Sequence, residues 1–345
     1  MTNDEKYMMR CIQLAKNGRL GAAPNPMVGA VVVCNGRIIG EGYHAKCGEA
    51  HAEVNAIASV KDKQLLRKST IYVSLEPCAH YGKTPPCANL IVEKGIPRVV
   101  VGCRDPFSKV AGKGIKILQD AGCEVVVGVL EKECWALNKA FFTVQLKHRP
   151  FITLKWAQSA DGYLDVEREG GEPVILSSPL TQMLAHKRRA EHQAIMVGTR
   201  TALLDNPSLS VRAWCGPQPL RIVIDRQLSL PRHLKLFDGT QPTLVVTEKD
   251  EPIAGCDIFQ VDFSRSILPQ IMVELMRRNI QSLLVEGGAS LLQSFLDEGI
   301  WDEAYVEHCP QVLTHGVLSP NIDKTAKSSK KKLIMGRMYH IYDNF

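Results

Sequence analysis

The strongest constraint on the fold of this chain is an alternation of short β-rich runs with amphipathic helical patterns, which is interrupted once and then begins again. The alternation over residues 1–130 is typical of helices packed on a sheet. A proline-marked break follows at about 147–150, and a second α/β pattern starts with "FITLKWAQ". Because 345 residues exceed one ordinary core, the sequence predicts two α/β domains, residues 1–147 and 148–345.

The first domain is predicted to combine an antiparallel hairpin with βαβ units. A helix is expected over roughly 4–17, and Asn35-Gly36 separates two β-rich runs, which is a strong signal for a hairpin turn. One continuous helix is expected from residue 131 up to the break. Further helices are predicted in "HAEVNAIASV", "PPCANLIVEKG" and "GIKILQDAG", and buried strands in "STIYVSLEP", "RVVVGC" and "CEVVVGVL".

The second domain is predicted from five strand-like runs and two helical patterns. The basic run "KSSKKK" at 327–332 is expected to be a solvated loop near the terminus. After "FITLKWAQ", strands are predicted in "AIMVG", "LRIVID", "PTLVVTE" and "SLLVEGG", and helices in "LTQMLAHKRRAEH" and "ASLLQSFLDEG".

The charge and the cysteine content narrow the class of protein. A net charge of +6 over 345 residues suits anionic small molecules and does not require nucleic acid. The N-terminus has no apolar run as long as that of a signal peptide, and no apolar stretch is long enough to span a membrane. Eleven cysteines, an odd number scattered through a long chain, do not resemble a disulfide framework. We therefore expect a cytoplasmic protein with no nucleic-acid or membrane partner, whose paired cysteines serve a metal or catalysis.

Three residues of the first domain have the ligand types of a catalytic zinc site. Such a site keeps three protein ligands and one open position, and zinc prefers thiolate and imidazole. Cys78 and Cys87 supply thiols, and His51 in "HAE" supplies an imidazole. A His-x-Glu followed by Pro-Cys and another Cys is the signature of zinc-dependent deaminases, in which Glu53 would carry the proton. Because residues two apart point to nearly opposite sides of a helix, His51 and Glu53 can share this site only at a helix start.

A closed, structural zinc site is the alternative interpretation. It would need a fourth protein donor and would leave Glu53 without a role. The candidate fourth donors are His44, Cys47, His80 and Cys103.

The eight residues between the two cysteines, "AHYGKTPP", carry hydrogen-bonding groups with two interpretations. Cationic and hydroxyl groups at the lip of a pocket suit an anionic substituent such as phosphate. Alternatively, Thr84 caps a helix that begins at Pro85, and Lys83 is an exposed loop lysine.

Four stretches of the first domain, "PNPMVGAVVV", "GEGYHAKCGEAHAE", "EPCAHYGKTPPC" and "DPFSKVAGKGIKIL", resemble the deaminase half of the bifunctional riboflavin-biosynthesis deaminase/reductase family. The resemblance implies a cytidine-deaminase-like three-layer α/β fold and one Zn²⁺ per chain. It also implies that His51, Cys78 and Cys87 are the zinc ligands and that Glu53 is the proton shuttle. The residues implied to line the substrate pocket are Asn25, His44, His80, Lys83, Thr84 and Asp105.

The second domain resembles the reductase half of the same family in "FITLKWAQSADGY", "VGTRTALLDNPSLSVR" and "LLVEGGASLLQSFL". The resemblance implies a dihydrofolate-reductase-like fold and NADPH as cofactor. Ile175 stands where the family often has an aromatic residue, and Gln158 where a small residue is common. The implied cofactor contacts are Gln158, Ile175, Thr201, Asp205, Gly288, Ala289 and Ser290, and the implied substrate contacts are Arg189, Leu209, Arg212 and Glu286.

The pattern around Glu286-Gly287-Gly288 supports a dinucleotide site in the second domain, independently of the resemblance. Glu286-Gly287-Gly288 closes a strand pattern and opens a helix pattern, so free backbone N–H groups could hold a pyrophosphate. No GxGxxG follows a strand, which argues against a Rossmann domain.

The family resemblance implies two consecutive reactions on a phosphorylated pyrimidine. The first domain would hydrolytically deaminate 2,5-diamino-6-ribosylamino-4(3H)-pyrimidinone 5′-phosphate, and the second would reduce its ribosyl group to ribityl with NADPH. Two rival interpretations are a deaminase of bases in nucleic acid and a non-catalytic, zinc-stapled binding module. Association into a homo-oligomer is left open by the sequence.

Overall fold

The computed structural model describes residues 1–79, 85–106, 112–322 and 326–345. The chain divides into two compact units, Met1–His148 and Arg149–Phe345, each with its own main sheet. Within the described ranges, the helices are too short or too polar for any of them to cross a bilayer.

The first unit is built on a five-stranded sheet in the order β2-β1-β3-β4-β5. Strand β1 is antiparallel to both of its neighbours, β2 and β3, whereas β3, β4 and β5 are parallel to one another. This is the predicted combination of a hairpin with βαβ units. The strands are β1 (Gly29–Cys34), β2 (Arg37–Tyr43), β3 (Thr70–Leu75), β4 (Arg98–Cys103) and β5 (Glu124–Val127).

Helices cover both faces of this sheet, so the predicted three-layer fold is confirmed. One face packs Val32, Val73 and Val101 against the helices α2, α3 and α4 in a single buried core. The other face carries Tyr72, whose ring lies 5.1 Å from that of Tyr7 in α1. The helices are α1 (Asn3–Ala15), α2 (Ala52–Ser59), α3 (Cys87–Glu93), α4 (Lys113–Asp120), α5 (Glu131–Leu137) and α6 (Lys139–Lys147).

Local sequence signals explain the hairpin and the first helix. Asn35 and Gly36 both have positive φ, +48° and +72°, as a two-residue hairpin turn of type I′ requires. The first helix begins after Thr2, which forms a capping box with Glu5. Both elements lie where the sequence predicts them.

The prediction of one continuous helix after residue 131 is wrong, because Asn138 separates two helices. Asn138 has a non-helical conformation, with φ −116° and ψ 26°. Its side chain instead accepts a hydrogen bond from the N–H of Met27 (2.8 Å) and donates to the C=O of the same residue (2.9 Å). A tertiary contact therefore overrides a helical pattern.

The second unit contains a nine-stranded sheet in the order β11-β10-β9-β8-β12-β6-β13-β16-β15. In this order, the first seven strands, β11 through β13, are parallel to one another. The C-terminal hairpin, β15 and β16, adds two antiparallel strands at one edge. Two short strands, β7 and β14, pair separately. The strands are β6 (Phe151–Gln158), β7 (Tyr163–Asp165), β8 (Ala194–Val197), β9 (Leu220–Ile224), β10 (Thr243–Thr247), β11 (Asp257–Gln260), β12 (Ser282–Val285), β13 (Glu303–His308), β14 (Val317–Leu318), β15 (Ser328–Ile334) and β16 (Arg337–Asp343).

All five strands and both helices predicted for this unit are present, and further elements join them. The central parallel strands β8, β9, β10 and β12 contribute to buried cores on both faces of the sheet, which explains their continuous apolar runs. The helices are α7 (Pro179–Glu191), α8 (Thr199–Asp205), α9 (Leu268–Arg277) and α10 (Ala289–Asp297).

The prediction that the basic run at 327–332 is a solvated loop is wrong, because most of the run belongs to the edge strand β15. The strand pairs with β16 over its whole length, and its lysines remain exposed. Lysines on an edge strand discourage further strand pairing. The charge pattern therefore marks a sheet edge.

Candidate functional sites

Three soft donor atoms of the first unit converge where two helices begin. His51 is the N-cap of α2, Cys87 is the first residue of α3, and Cys78 follows the end of β3. The three donor atoms lie within 4.8 Å of one another. The Nδ1 atom of His51 is 3.6 Å from Cys78 Sγ and 3.3 Å from Cys87 Sγ. Two thiols and one imidazole at this spacing fit a zinc ion.

Within the described residues, this metal-binding group has three members. His44 Nδ1 instead contacts the C=O of Ala50 at 3.1 Å, and Cys103 Sγ contacts the C=O of Ser74 at 3.5 Å. Cys47 is exposed. His80, the remaining candidate for a fourth donor, lies outside the described residues. The three-donor group thus has the composition of an open, catalytic site.

The two thiols differ in acidity. Hydrogen bonds with Cys87 and His51 lower the pKa of Cys78 to about 4, although burial opposes this shift. The backbone N–H of Cys87 also donates to Cys78 Sγ at 3.3 Å. The hydrogen bond to Cys78 and burial both raise the pKa of Cys87. The arrangement therefore favours the thiolate form of Cys78, which is the form that binds a metal.

Glu53 lies in the first turn of α2, next to this group. Its side chain is only 3% exposed and interacts with Cys87. Burial raises the pKa of Glu53 to about 7, and the charge of Cys78 adds to the rise. The structure thus places His51 and Glu53 at a helix start, where both can face one site. A carboxyl group that titrates near neutrality is suited to taking and returning a proton.

Two of the predicted substrate contacts lie beside the donor group. The ring of His44 meets that of His51 edge-on, with centroids 5.3 Å apart. His44 Nε2 and Asn25 Nδ2 are 3.1 Å apart. Burial lowers the pKa of His44, so a neutral ring is favoured. Asp105 is buried after β4. The predicted contacts that lie outside the described residues are His80, Lys83 and Thr84.

Glu76, at the end of β3, is a residue that the sequence analysis missed. Its buried carboxylate accepts hydrogen bonds from four backbone N–H groups beyond β4, at distances of 3.1 to 3.4 Å. A Cβ atom at Gly114 would lie 1.9 Å from the C=O of Pro77, so the two segments are in direct contact. Glu76 therefore fixes the segment that carries Asp105 against the segment that carries Cys78. A carboxylate that ends an apolar strand is the sequence signal that could have identified it.

Replacing Glu76 by Ala should destabilise the first unit. The change leaves buried N–H groups without an acceptor, at about 1–3 kcal/mol for each unsatisfied group. We expect the free energy of unfolding to fall by at least about 3 kcal/mol in denaturant titrations. Glu76→Gln keeps one acceptor oxygen and should lose less, and Glu93→Ala, at an exposed glutamate, should change little. A Glu76→Ala protein as stable as the wild type would contradict this account.

The zinc content of two cysteine variants tests the donor group. Cys87→Ala removes one of three ligands, so we expect the purified protein to lose its zinc in elemental analysis. Cys47→Ala is the matched control, since Cys47 is exposed and lies outside the group. Loss of zinc from the control, with retention in Cys87→Ala, would assign the metal to other residues.

The second unit contains an open cleft of about 550 Å³. Its walls come from β6, from the segment before α7, from α8 and from the turn between β12 and α10. This cleft has the size and the mixed polar and apolar lining of a cofactor site. The predicted site residues that line it are Ile175, Thr201, Asp205, Glu286, Gly288, Ala289 and Ser290.

The glycine turn that precedes α10 is shaped to accept an anionic group. Gly288 has φ +67°, and a Cβ atom at Gly287 would lie 2.8 Å from Val197 Cγ1. Gly288 is the N-cap of α10 and provides no side-chain cap, which leaves the first N–H groups free. Free N–H groups at a helix start bind phosphate groups. The turn therefore fits a dinucleotide cofactor.

Arg189 and Glu286 form a buried ion pair next to this turn. Arg189 Nη2 lies 2.6 Å from Glu286, and Nη1 donates to the C=O of Ser210 at 3.1 Å. Burial alone would raise the pKa of Glu286, but the charge and hydrogen bonds of Arg189 outweigh it and lower that pKa. Leu209 is buried with φ +52°, and Arg212 bonds to Ser208 and Ser210. The four predicted substrate contacts therefore lie on three segments: α7, the loop that follows α8 and the end of β12. The contacts of Arg189 link α7 to the other two.

The structure does not place Gln158 in this cleft. Its amide oxygen accepts a hydrogen bond from Trp156 Nε1 at 2.8 Å, and it lines a separate, smaller cavity. Asp205 lines the cleft but forms an ion pair with Arg168. The sequence analysis missed Lys155, which also lines the cleft. Burial lowers the pKa of Lys155, and the charge of Glu286 opposes this shift only in part. A lysine inside the apolar run of β6 was the available signal.

Comparisons with known proteins give the same division of the chain. The family model of the "Cytidine and deoxycytidylate deaminase zinc-binding region" matches residues 1–103, and that of the "RibD C-terminal domain" matches residues 150–324. The riboflavin biosynthesis protein RibD of Aquifex aeolicus is 39% identical over 96% of this chain and 95% of its own length. The RibD protein of Escherichia coli K12 is 35% identical over 95% of each chain.

Solved structures are similar over both units. The diaminohydroxyphosphoribosylaminopyrimidine deaminase/5-amino-6-(5-phosphoribosylamino)uracil reductase of Thermotoga maritima has a TM-score of 0.88 at 35% identity, over 99% of this chain and 98% of that chain. RibD of Acinetobacter baumannii has a TM-score of 0.86 at 32% identity, over the same shares. With its zinc-site donors in the first unit and its dinucleotide-type cleft in the second, this chain belongs to the RibD family of riboflavin biosynthesis proteins.

Proposed function

We propose that each unit performs one of two consecutive reactions of riboflavin biosynthesis. The first unit hydrolytically deaminates 2,5-diamino-6-ribosylamino-4(3H)-pyrimidinone 5′-phosphate. The second unit then reduces the ribosyl group of the product to ribityl with NADPH. The observation that carries the proposal is the convergence of His51, Cys78 and Cys87 beside a buried Glu53 in a chain that also holds a dinucleotide-type cleft.

In the first reaction, the residues of the donor group hold the metal and Glu53 moves the protons. Zinc bound to His51, Cys78 and Cys87 would supply Lewis-acid activation of water near neutral pH. Glu53 takes one proton from the attacking water and returns it to the ring nitrogen. It then takes the proton of the newly added hydroxyl and delivers it to the amino group, which leaves as ammonia. Burial raises the pKa of Glu53, which favours a group that can both accept and donate a proton.

The pyrimidine in this reaction is held by neutral hydrogen-bonding groups beside the donor site. His44 and Asn25 contact each other and lie next to His51. Their contact orients both side chains toward a polar ring substituent. Lys83 and Thr84 are proposed to contact the substrate phosphate, on the sequence pattern alone.

In the second reaction, the cleft orients the cofactor and the opened sugar. NADPH bound there would supply the hydride. The N–H groups that follow Gly288 hold the phosphates, with Thr201 beside them. Lys155 and the pair formed by Arg189 and Glu286 provide charged groups at the substrate end.

Incubation of the purified protein with the diamino pyrimidine tests the proposal. We expect ammonia release both with and without NADPH, and NADPH oxidation only after deamination has begun. Ammonia release without any NADPH oxidation would contradict the assignment of the second unit. Absence of ammonia would contradict the assignment of the first.

A cytoplasmic location suits the proposed chemistry. All eleven cysteines are free thiols, including the two of the donor group, and a reducing compartment keeps them so. The sequence leaves homo-oligomer formation open, and gel filtration of the full chain would measure the oligomeric state.

A further inference from the structure

The cationic side chains that line the cleft of the second unit differ in whether a carboxylate lies near them. Three cationic side chains line it, and two of them face carboxylates. Arg168 bonds to Asp165 at 2.7 Å and also pairs with Asp205. Both carboxylates are therefore committed to one guanidinium.

Lys155 is the second cation, and it lies in the field of two buried carboxylates. Burial lowers the pKa of Lys155, and the charges of Glu286 and Glu307 oppose this shift only in part. Glu307 lies on β13, and its backbone partner on β6 is Ala157, two residues from Lys155. Because side chains two apart in a strand share a face, Glu307 and Lys155 lie on the same face of the sheet.

Arg200 is the third cation, and its guanidinium meets no carboxylate in the part of the chain that the structure describes. It makes one hydrogen bond there, from Nη2 to the C=O of Arg168 at 3.1 Å, and is otherwise exposed. This contact holds the guanidinium at the cleft wall without neutralising it. Among the described cations that line the cleft, Arg200 is thus the one with no carboxylate partner.

Arg200 is the chain neighbour of a residue that contacts the glycine turn. Arg200 and Thr201 are consecutive residues of α8, and both line the cleft. A Cβ atom at Gly288 would lie 3.1 Å from Thr201 Oγ1, so the start of α8 touches the turn. The cleft thus carries a guanidinium on one segment and free N–H groups on the neighbouring turn, which are the charge and the donors that a phosphate group requires.

We propose that Arg200 binds a phosphate group of the nicotinamide dinucleotide and thereby contributes to the selection of the cofactor. The proposal rests on the proposed reductase function of the second unit. The cofactor carries two kinds of phosphate that Arg200 could bind: the pyrophosphate, which NADPH and NADH share, and the 2′-phosphate, which only NADPH carries.

Equilibrium binding, measured without turnover, tests the proposal. Isothermal titration calorimetry of the full chain with NADP⁺ and with NAD⁺ gives one affinity for each. In Arg200→Gln we expect NADP⁺ binding to weaken by roughly tenfold or more, because a charge-assisted hydrogen bond is lost. Arg200→Lys keeps the charge and should recover part of the affinity. Arg265→Gln, at an arginine that is 73% exposed in a surface ion pair, is the matched control and should bind as the wild type does.

The two ligands identify the phosphate. Weakening of NADP⁺ with unchanged NAD⁺ assigns Arg200 to the 2′-phosphate, and equal weakening of both assigns it to the pyrophosphate. Unchanged affinity for both in Arg200→Gln, with firm binding by the wild type, overturns the proposal and leaves the reductase assignment intact. A wild-type protein that binds neither dinucleotide overturns both.

Discussion

Replacing Glu53 by Gln is expected to reduce ammonia release by about 10²–10⁴-fold, the usual contribution of a positioned acid–base group. The amide side chain of this variant cannot take or return a proton, although it has nearly the same shape as the carboxylate. None of the three donor atoms changes, so the zinc content should stay the same. Ammonia release from the diamino pyrimidine and elemental analysis of the same preparation measure both quantities.

A matched variant separates this effect from a general loss of charge. Glu93→Gln changes an exposed glutamate of the same unit and should retain full activity. A deamination rate in Glu53→Gln close to that of the wild type would remove the proton-transfer role from this residue. A non-catalytic zinc module predicts instead that neither protein releases ammonia.

Replacing Glu286 by Ala is expected to destabilise the second unit and to stop NADPH oxidation. The change leaves the guanidinium of Arg189 without its partner in a site where the two side chains are only 15% and 10% exposed. Breaking such a pair costs about 3–5 kcal/mol. Differential scanning calorimetry should show a lower unfolding temperature, and absorbance at the NADPH band measures the oxidation.

A double variant distinguishes the structural role of this pair from its role in the reaction. Arg189→Met with Glu286→Met removes both charges, so stability should recover in part while NADPH oxidation stays absent. A Glu286→Ala protein that unfolds at the wild-type temperature would contradict the account of the pair.

The acid stability of the second unit should reflect the same pair. The folded-state pKa of Glu286 is lowered from its ordinary value of 4.5. A carboxyl group of this kind stabilises the fold fully above its unfolded pKa, and the contribution is lost as the pH falls through the folded value. The stability difference between the wild type and Glu286→Gln should therefore shrink below about pH 4.5 in thermal unfolding series.

Sequence reasoning succeeded where the determinants are local or chemically specific. The Asn35-Gly36 turn follows from backbone preference alone, since both residues need positive φ. The donor group could be predicted because few arrangements of His and Cys suit zinc. The requirement that His51 and Glu53 share a helix start followed from helix geometry, and α2 begins there.

Sequence reasoning failed where distant segments decide the outcome. The helix break at Asn138 depends on a contact with Met27, which lies 111 residues away. The strand character of the lysine run depends on its pairing with β16. Glu76 acts through backbone N–H groups 29 to 39 residues further along the chain. The partners in these contacts are set by the assembled fold. Even at Glu76, the local signal of a carboxylate at the end of an apolar strand does not say which N–H groups it meets.

The most direct test of two separate reactions in a fixed order supplies the Glu53→Gln protein with each pyrimidine in turn. Given the diamino compound, it should release almost no ammonia and oxidise almost no NADPH. Given the deaminated compound, it should oxidise NADPH at the wild-type rate, because the cleft of the second unit is unchanged. Rapid NADPH oxidation with the diamino compound, or none with the deaminated compound, would contradict the account.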